Sequence, residues 1–156
     1  VSLAENQKYI SDYKTYYVAY CDKFKKNPAN ISAFQDEKKG AWGYKNNKNE
    51  PIGDAKYYYA SEFNDGFAII IFKDNRNLAD GMAIINEKTE IIKALDRKFE
   101  PIWGTSVKFE NGLIEFYYLV SKPDDEIQKW EYVLVNNKGE IIKRMNEGVF
   151  PVPSGG

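Results

Sequence analysis

The chain has 156 residues, a net charge of −1, one cysteine and no histidine, with 43% hydrophobic and 29% charged residues. That composition suits one globular domain, whose core can bury roughly 68–70% of the unfolded surface without a metal or disulfide. It excludes the basic footprint of a nucleic-acid binder, and it removes imidazole as a general base or metal ligand. No apolar run approaches the ~20 residues of a membrane-spanning helix.

In chain order, residues 2–27 read as an amphipathic α-helix. Tyr9, Tyr13, Tyr16, Tyr17, Tyr20 and Phe24 recur at three- and four-residue spacing, and Ile10 and Cys21 widen the stripe. Ser2 and Glu5 have capping-box spacing. Lys23, Lys25 and Lys26 suit the negative end of a helix dipole, and Asn27-Pro28 supplies a stop. Such a stripe of rings needs an apolar surface, and the β-rich remainder of the chain is the expected partner. Cys21 cannot form an internal disulfide, and a single thiol fits either redox compartment. The opening at Val1 fits a cytoplasmic protein as well as an exported one with its leader removed, so localisation is left open.

From Ile31 the pattern changes to short runs rich in β-branched and aromatic residues, bounded by Asn, Asp, Gly and Lys. Phe67–Phe72, Leu113–Val120 and Tyr132–Val135 are expected strands. Two phrases alternate between them. One reads Phe63-Asn64-Asp65-Gly66-Phe67, then Phe109-Glu110-Asn111-Gly112-Leu113, then Met145-Asn146-Glu147-Gly148-Val149. The other reads Asn46-Asn47-Lys48-Asn49-Glu50, then Asn86-Glu87-Lys88-Thr89-Glu90, then Asn136-Asn137-Lys138-Gly139-Glu140. Fixed alternation marks an internal repeat.

In the first phrase Gly66, Gly112 and Gly148 supply left-handed turns into strands, with Phe63, Phe109 and Met145 tucked beneath. In the second, Gly139 and Asn49 suit a residue with positive φ, whereas β-branched Thr89 does not, so its turn is expected to be built differently. The intervals between copies are unequal, so loops such as 73–80 and 121–129 must absorb length. The last residues, 153–156, read as a frayed tail.

These phrases resemble the bacterial WG-repeat family. The resemblance is closest in Gly40-Ala41-Trp42-Gly43-Tyr44, followed by the turn Asn47-Lys48-Asn49-Glu50, then Tyr57, Tyr58, Ala60, Phe63 and Asp65-Gly66-Phe67-Ala68. In later copies Met82 and Tyr132 take the place of Trp42, and Ala83 and Val133 that of Gly43. The resemblance spans residues 31–152, about two and a half copies with the third truncated, and leaves the N-terminal segment outside. It implies consecutive antiparallel β-hairpins and no common enzymatic activity, so no catalytic residue is carried across. Trp42 would cover the adjoining hairpin, and Gly43 would admit a close neighbour. The expected fold is therefore mainly β, with hairpin repeats in a twisted sheet or short stack. Of these, one compact sheet with the helix packed on it is favoured.

Carboxylates are the one plausible catalytic class. Asp36, Glu37, Asp54, Glu115 and Asp124-Asp125-Glu126 are the candidates for a glycoside-hydrolysing pair. Glu115 sits in an apolar strand, with Leu113 and Tyr117 on its face and Ile114, Phe116 and Tyr118 on the other, and is read as marking a solvent face. The stretch Asp74-Asn75-Arg76-Asn77 near Asp80 has calcium-like composition without the spacing of a calcium loop. No cofactor or metal is expected.

The leading expectation is a non-catalytic module that binds another protein, with a cell-envelope glycan as the second choice. A carboxylate-based hydrolase and a purely structural accessory domain are the alternatives. Tyr57-Tyr58-Tyr59 is the candidate contact segment, because three consecutive rings in a strand cannot all face one core.

Overall fold

A computed structural model of the chain describes residues 17–21, 30–72, 81–96, 98–103, 107–122, 124–144 and 150–151. These residues form two antiparallel sheets, not one. The first is a six-stranded meander, in order β1 (Ser32–Asp36), β2 (Ala41–Lys45), β3 (Pro51–Ala60), β4 (Phe67–Phe72), β5 (Met82–Asn86) and β6 (Ile91–Leu95). The second runs β7 (Phe99–Pro101), β8 (Leu113–Leu119), β9 (Lys129–Asn136) and β10 (Ile141–Arg144), and β11 (Phe150–Pro151) also pairs with β9.

The turns explain the strand order. Asn46, Asn86 and Asn136 build the same five-bond frame. In each, the Asn N–H donates to the carbonyl of the Glu four residues on, at 2.9, 3.1 and 3.0 Å, and the Asn carbonyl accepts from the residue three on. The side-chain Oδ1 accepts the N–H groups two and four residues on, and Nδ2 donates to the Glu carboxylate. This is a three-residue hairpin loop closed by a left-handed residue. Asn49, Thr89 and Gly139 all take that place, with φ of 63°, 60° and 83°. The expectation for Thr89 is thus corrected. Its turn is built like the others, because five hydrogen bonds offset the strain of about 1–3 kcal/mol of a left-handed non-glycine residue.

The other phrase makes a two-residue hairpin. Asn64 and Phe67 exchange both backbone hydrogen bonds at 3.1 Å, and Glu110 and Leu113 do so at 2.7 and 3.1 Å. Asp65 and Gly66 have φ of 55° and 87°, and Asn111 and Gly112 of 55° and 79°. Two successive positive φ values define the turn that matches strand twist, and glycine reaches the second without strain. Met145 and Gly148 lie outside the described residues, as do 73–80 and the tail.

Each strand after a glycine turn then pairs with the first strand of the next copy in one register: Phe67 faces Asn86, and Leu113 faces Asn136. Ser32 faces Lys45, which sets β1 on β2 in that same register. Asn30, with φ 58°, stands in front of β1 where Gly66 and Gly112 stand in front of β4 and β8.

Period-two alternation sorts the side chains into layers. Ile69, Ile71, Met82 and Ile84 of the first sheet meet Phe109, Ile114, Phe116, Val133 and Val135 of the second in the inter-sheet core. The other face of the first sheet is a separate cluster of Tyr44, Tyr57, Phe63, Ala68, Ile70, Ala83 and Ile85. The far face of the second sheet gathers Ile102, Leu113, Tyr117, Tyr132 and Leu134, with Tyr17 and Cys21 packed against it.

Most of the expected N-terminal helix falls outside the described residues. Within 17–21 a continuous α-helix is not borne out. Val18–Tyr20 is one 3-10 turn, and Cys21 is extended at φ −101°, ψ 153°. Tertiary bonds hold this shape: the Cys21 thiol donates to the Gly112 carbonyl at 3.1 Å, and Asn136 Nδ2 donates to the Tyr20 carbonyl at 2.8 Å. Glu115 needs a second correction. It shares the face of Leu113 and Tyr117 as alternation requires, yet that face is the one under Tyr17 and Cys21, and Glu115 is half-buried.

Candidate functional site

The three consecutive tyrosines separate. Tyr57 faces Phe72 and Tyr59 faces Ile71, so Tyr58 is an extra residue in β3, a bulge. A bulge reverses the alternation and re-aims side chains. Tyr57 enters the outer core of the first sheet, Tyr59 packs on the inter-sheet core, and Tyr58 stands 53% exposed.

A second irregularity in β3 lies next to the Trp-Gly pair. Trp42 faces Tyr57 while Tyr44 faces Ile52, so β3 carries extra residues there. Gly43 makes this possible: a Cβ at that position would lie 2.8 Å from the Ala55 Cα. Tyr44 is fully buried, and its hydroxyl donates to the Ser61 carbonyl at 2.7 Å. Burial chiefly, with Tyr57 and the Glu62 charge adding, drives its pKa far up, so the phenol stays a donor at all ordinary pH. Trp42, Gly43, Tyr44 and Phe63 therefore shape the first sheet, with the Tyr44 and Phe63 ring centroids 4.7 Å apart.

Beside this frame the two sheets bring three rings into a row. Trp42 on β2 lies 5.8 Å from Tyr59 on β3 at an interplanar angle of 58°. Tyr59 lies 5.1 Å from Trp103 at 87°. Trp103 follows β7, is 45% exposed, and is held in place by its chain neighbour Ile102, which is buried. The Tyr59–Trp103 pair is an edge-to-face contact and the Trp42–Tyr59 pair a tilted one, both within the spacing that aromatic pairs prefer.

Two carboxylates border the row. Burial pushes the Glu100 carboxyl above its usual range, and a hydrogen bond from the Trp103 indole N–H partly offsets that shift. Glu62 lies on the Tyr59 side. Burial, then the Glu62 charge, raises the Tyr59 phenol, and Glu62 Oε1 also accepts the Ala33 N–H at 3.1 Å. Sequence reasoning placed Tyr59 in a candidate site but missed Trp103 and Glu100. Their exposed ring and half-buried acid lie more than forty residues from Tyr59, and only the crossing from one sheet to the other joins them.

The candidate catalytic carboxylates sit on separate elements. Asp36 Oδ1 accepts the Lys38 and Lys39 N–H groups, and Asp125 Oδ2 accepts that of Lys122, so each closes its own turn. Glu37, Asp54, Asp124 and Glu126 are exposed. Among the described residues no three acidic or thiol groups gather as a metal site, and the Asp74–Asp80 stretch lies outside them. No described helix is long and apolar enough to cross a membrane. No protein-family model, curated protein or solved structure matches the chain.

Proposed function

We propose that this chain is a non-catalytic recognition module built from WG-like hairpin repeats, and that it binds a segment of another protein along Trp42, Tyr59 and Trp103. The observation that carries this reading is the ring row itself: half-open, backed by a packed core, with Trp103 anchored to Glu100. Half-open Trp and Tyr rings on a rigid support supply apolar area at little loss of side-chain entropy on binding. The shared turn geometry of the copies supports the repeat reading.

Ring orientation favours a protein partner over a glycan. Planes tilted by 58° and 87° do not form a continuous flat strip on which successive sugars could stack. We read the angle between them as a notch that suits one projecting side chain. Panning a displayed peptide library against the whole chain and against Trp103→Ala tests this. Sequences enriched on the former and lost on the latter are the expected result. Enrichment that ignores the substitution, or retention on immobilised glycans that Trp103→Ala abolishes, would overturn it.

A further inference from the structure

Two acidic groups border the ring row. Glu100 is a half-buried carboxylate whose hydrogen-bond partner is the neutral indole of Trp103. Glu62 contributes negative charge at the Tyr59 end. The ring faces are electron-rich, and face a cation favourably. The cation–ring contacts among the described residues lie elsewhere: Lys45 on Phe34, Lys56 on Tyr57 and Arg144 on Tyr118. Arg144 shows how this chain satisfies a similar pairing of ring and acid, since it covers Tyr118 while bound to the buried carboxylate of Glu131. Among the described residues no lysine or arginine covers the Trp103 ring or pairs with the Glu100 carboxylate.

Resting on the recognition reading above, we infer that the notch formed by Tyr59, Trp103 and Glu100 takes a basic side chain from the partner protein, with arginine preferred to lysine. The physical reason is twofold. A guanidinium can lie flat on one ring while its edge donates to the Glu100 carboxylate, whereas an ammonium holds one point. Desolvating Glu100 without a cation is costly, so a neutral side chain in the same place would leave a buried charge unanswered.

The test uses the whole chain and three defined pentapeptides, Ac-Gly-Gly-Xaa-Gly-Gly-NH2, with arginine, lysine or neutral citrulline in the centre. The indole N–H signal of Trp103, assigned by its loss in Trp103→Ala, reports binding by NMR. Saturating shifts with arginine, at least fivefold tighter than with citrulline and tighter than with lysine, are expected. Glu100→Gln, which keeps shape and removes charge, should erase that preference while leaving the spectrum folded. Equal affinity for arginine and citrulline, or a preference that survives Glu100→Gln, overturns the inference. Either result is distinguishable from failure of the recognition reading, because library sequences with neutral centres that still require Trp103 would leave that reading standing while removing this one.

Discussion

Strand β3 and its counterpart β6–β7 start after the same Asn-built turn and end before the same glycine turn, yet they go to different places. β3 runs unbroken through the first sheet: its first half pairs with β2 and its last residues with β4. The counterpart pairs with β5 as β6, stops at Leu95, and resumes at Phe99 as β7 in the second sheet. Asn46 and Gly66 are 20 positions apart, whereas Asn86 and Gly112 are 26. In the first copy β3 takes up its length in bulges, one made room for by Gly43 and one at Tyr58. In the second, Asp96 closes a turn by accepting the Lys98 N–H at 2.9 Å on its side chain and the Phe99 N–H at 3.2 Å on its carbonyl. One device keeps a sheet continuous, and the other starts a new one. The break carries Trp103 and Glu100 up to Tyr59.

The largest expected effect tests what the second sheet depends on. Phe63 and Phe109 hold the same place before their glycine turns, but Phe63 lies in the outer cluster of the first sheet and Phe109 in the inter-sheet core. Phe109→Ala should cost about 3–5 kcal/mol in denaturant unfolding, at the upper end of the usual range because the ring is fully buried. It should also free the Tyr59–Trp103 contact, visible in Trp fluorescence. Phe63→Ala should cost about 3 kcal/mol and leave the Trp103 environment in place. Identical spectroscopic changes in the two variants would mean that the sheets are not distinct layers.

The next effect separates three turns of identical geometry. Asn136 is fully buried and its Nδ2 also holds the Tyr20 carbonyl, whereas Asn46 and Asn86 are partly open to water. Asn136→Ala should cost about 2–3 kcal/mol, since it empties a fully buried site and also removes the bond to the Tyr20 carbonyl. Asn46→Ala and Asn86→Ala should cost about 1 kcal/mol each, because water replaces the lost acceptor. Three equal losses in chemical denaturation would contradict the burial difference.

The smallest effect concerns the left-handed position of these turns. Thr89→Gly should stabilise by about 0.5–1 kcal/mol, the relief of strain exceeding the added chain entropy. Gly139→Ala should destabilise, because its Cβ would meet Lys93 Cγ at 2.5 Å as well as requiring φ of 83°. Thermal unfolding of both variants gives the sign directly.

The strands Phe67–Phe72 and Leu113–Leu119, the alternation in β8 and the turn positions were legible in the sequence. Each is set by residues within a few positions of one another: Asn Oδ1 reaches N–H groups two and four along, and Asp65-Gly66 fixes its own dihedrals. The segment 17–21 was misread because tyrosines spaced for a helix are equally able to lie on a sheet, and Asn136 and Gly112, about ninety residues or more further on, settle which. Glu115 was misread because alternation assigns a face without saying what covers it. The sequence alone determined a β-repeat with defined hairpins, since those depend on local hydrogen bonds. Tertiary structure alone decided that there are two sheets and that Trp103 meets Tyr59, since burial and long-range contact depend on which surfaces the chain brings together.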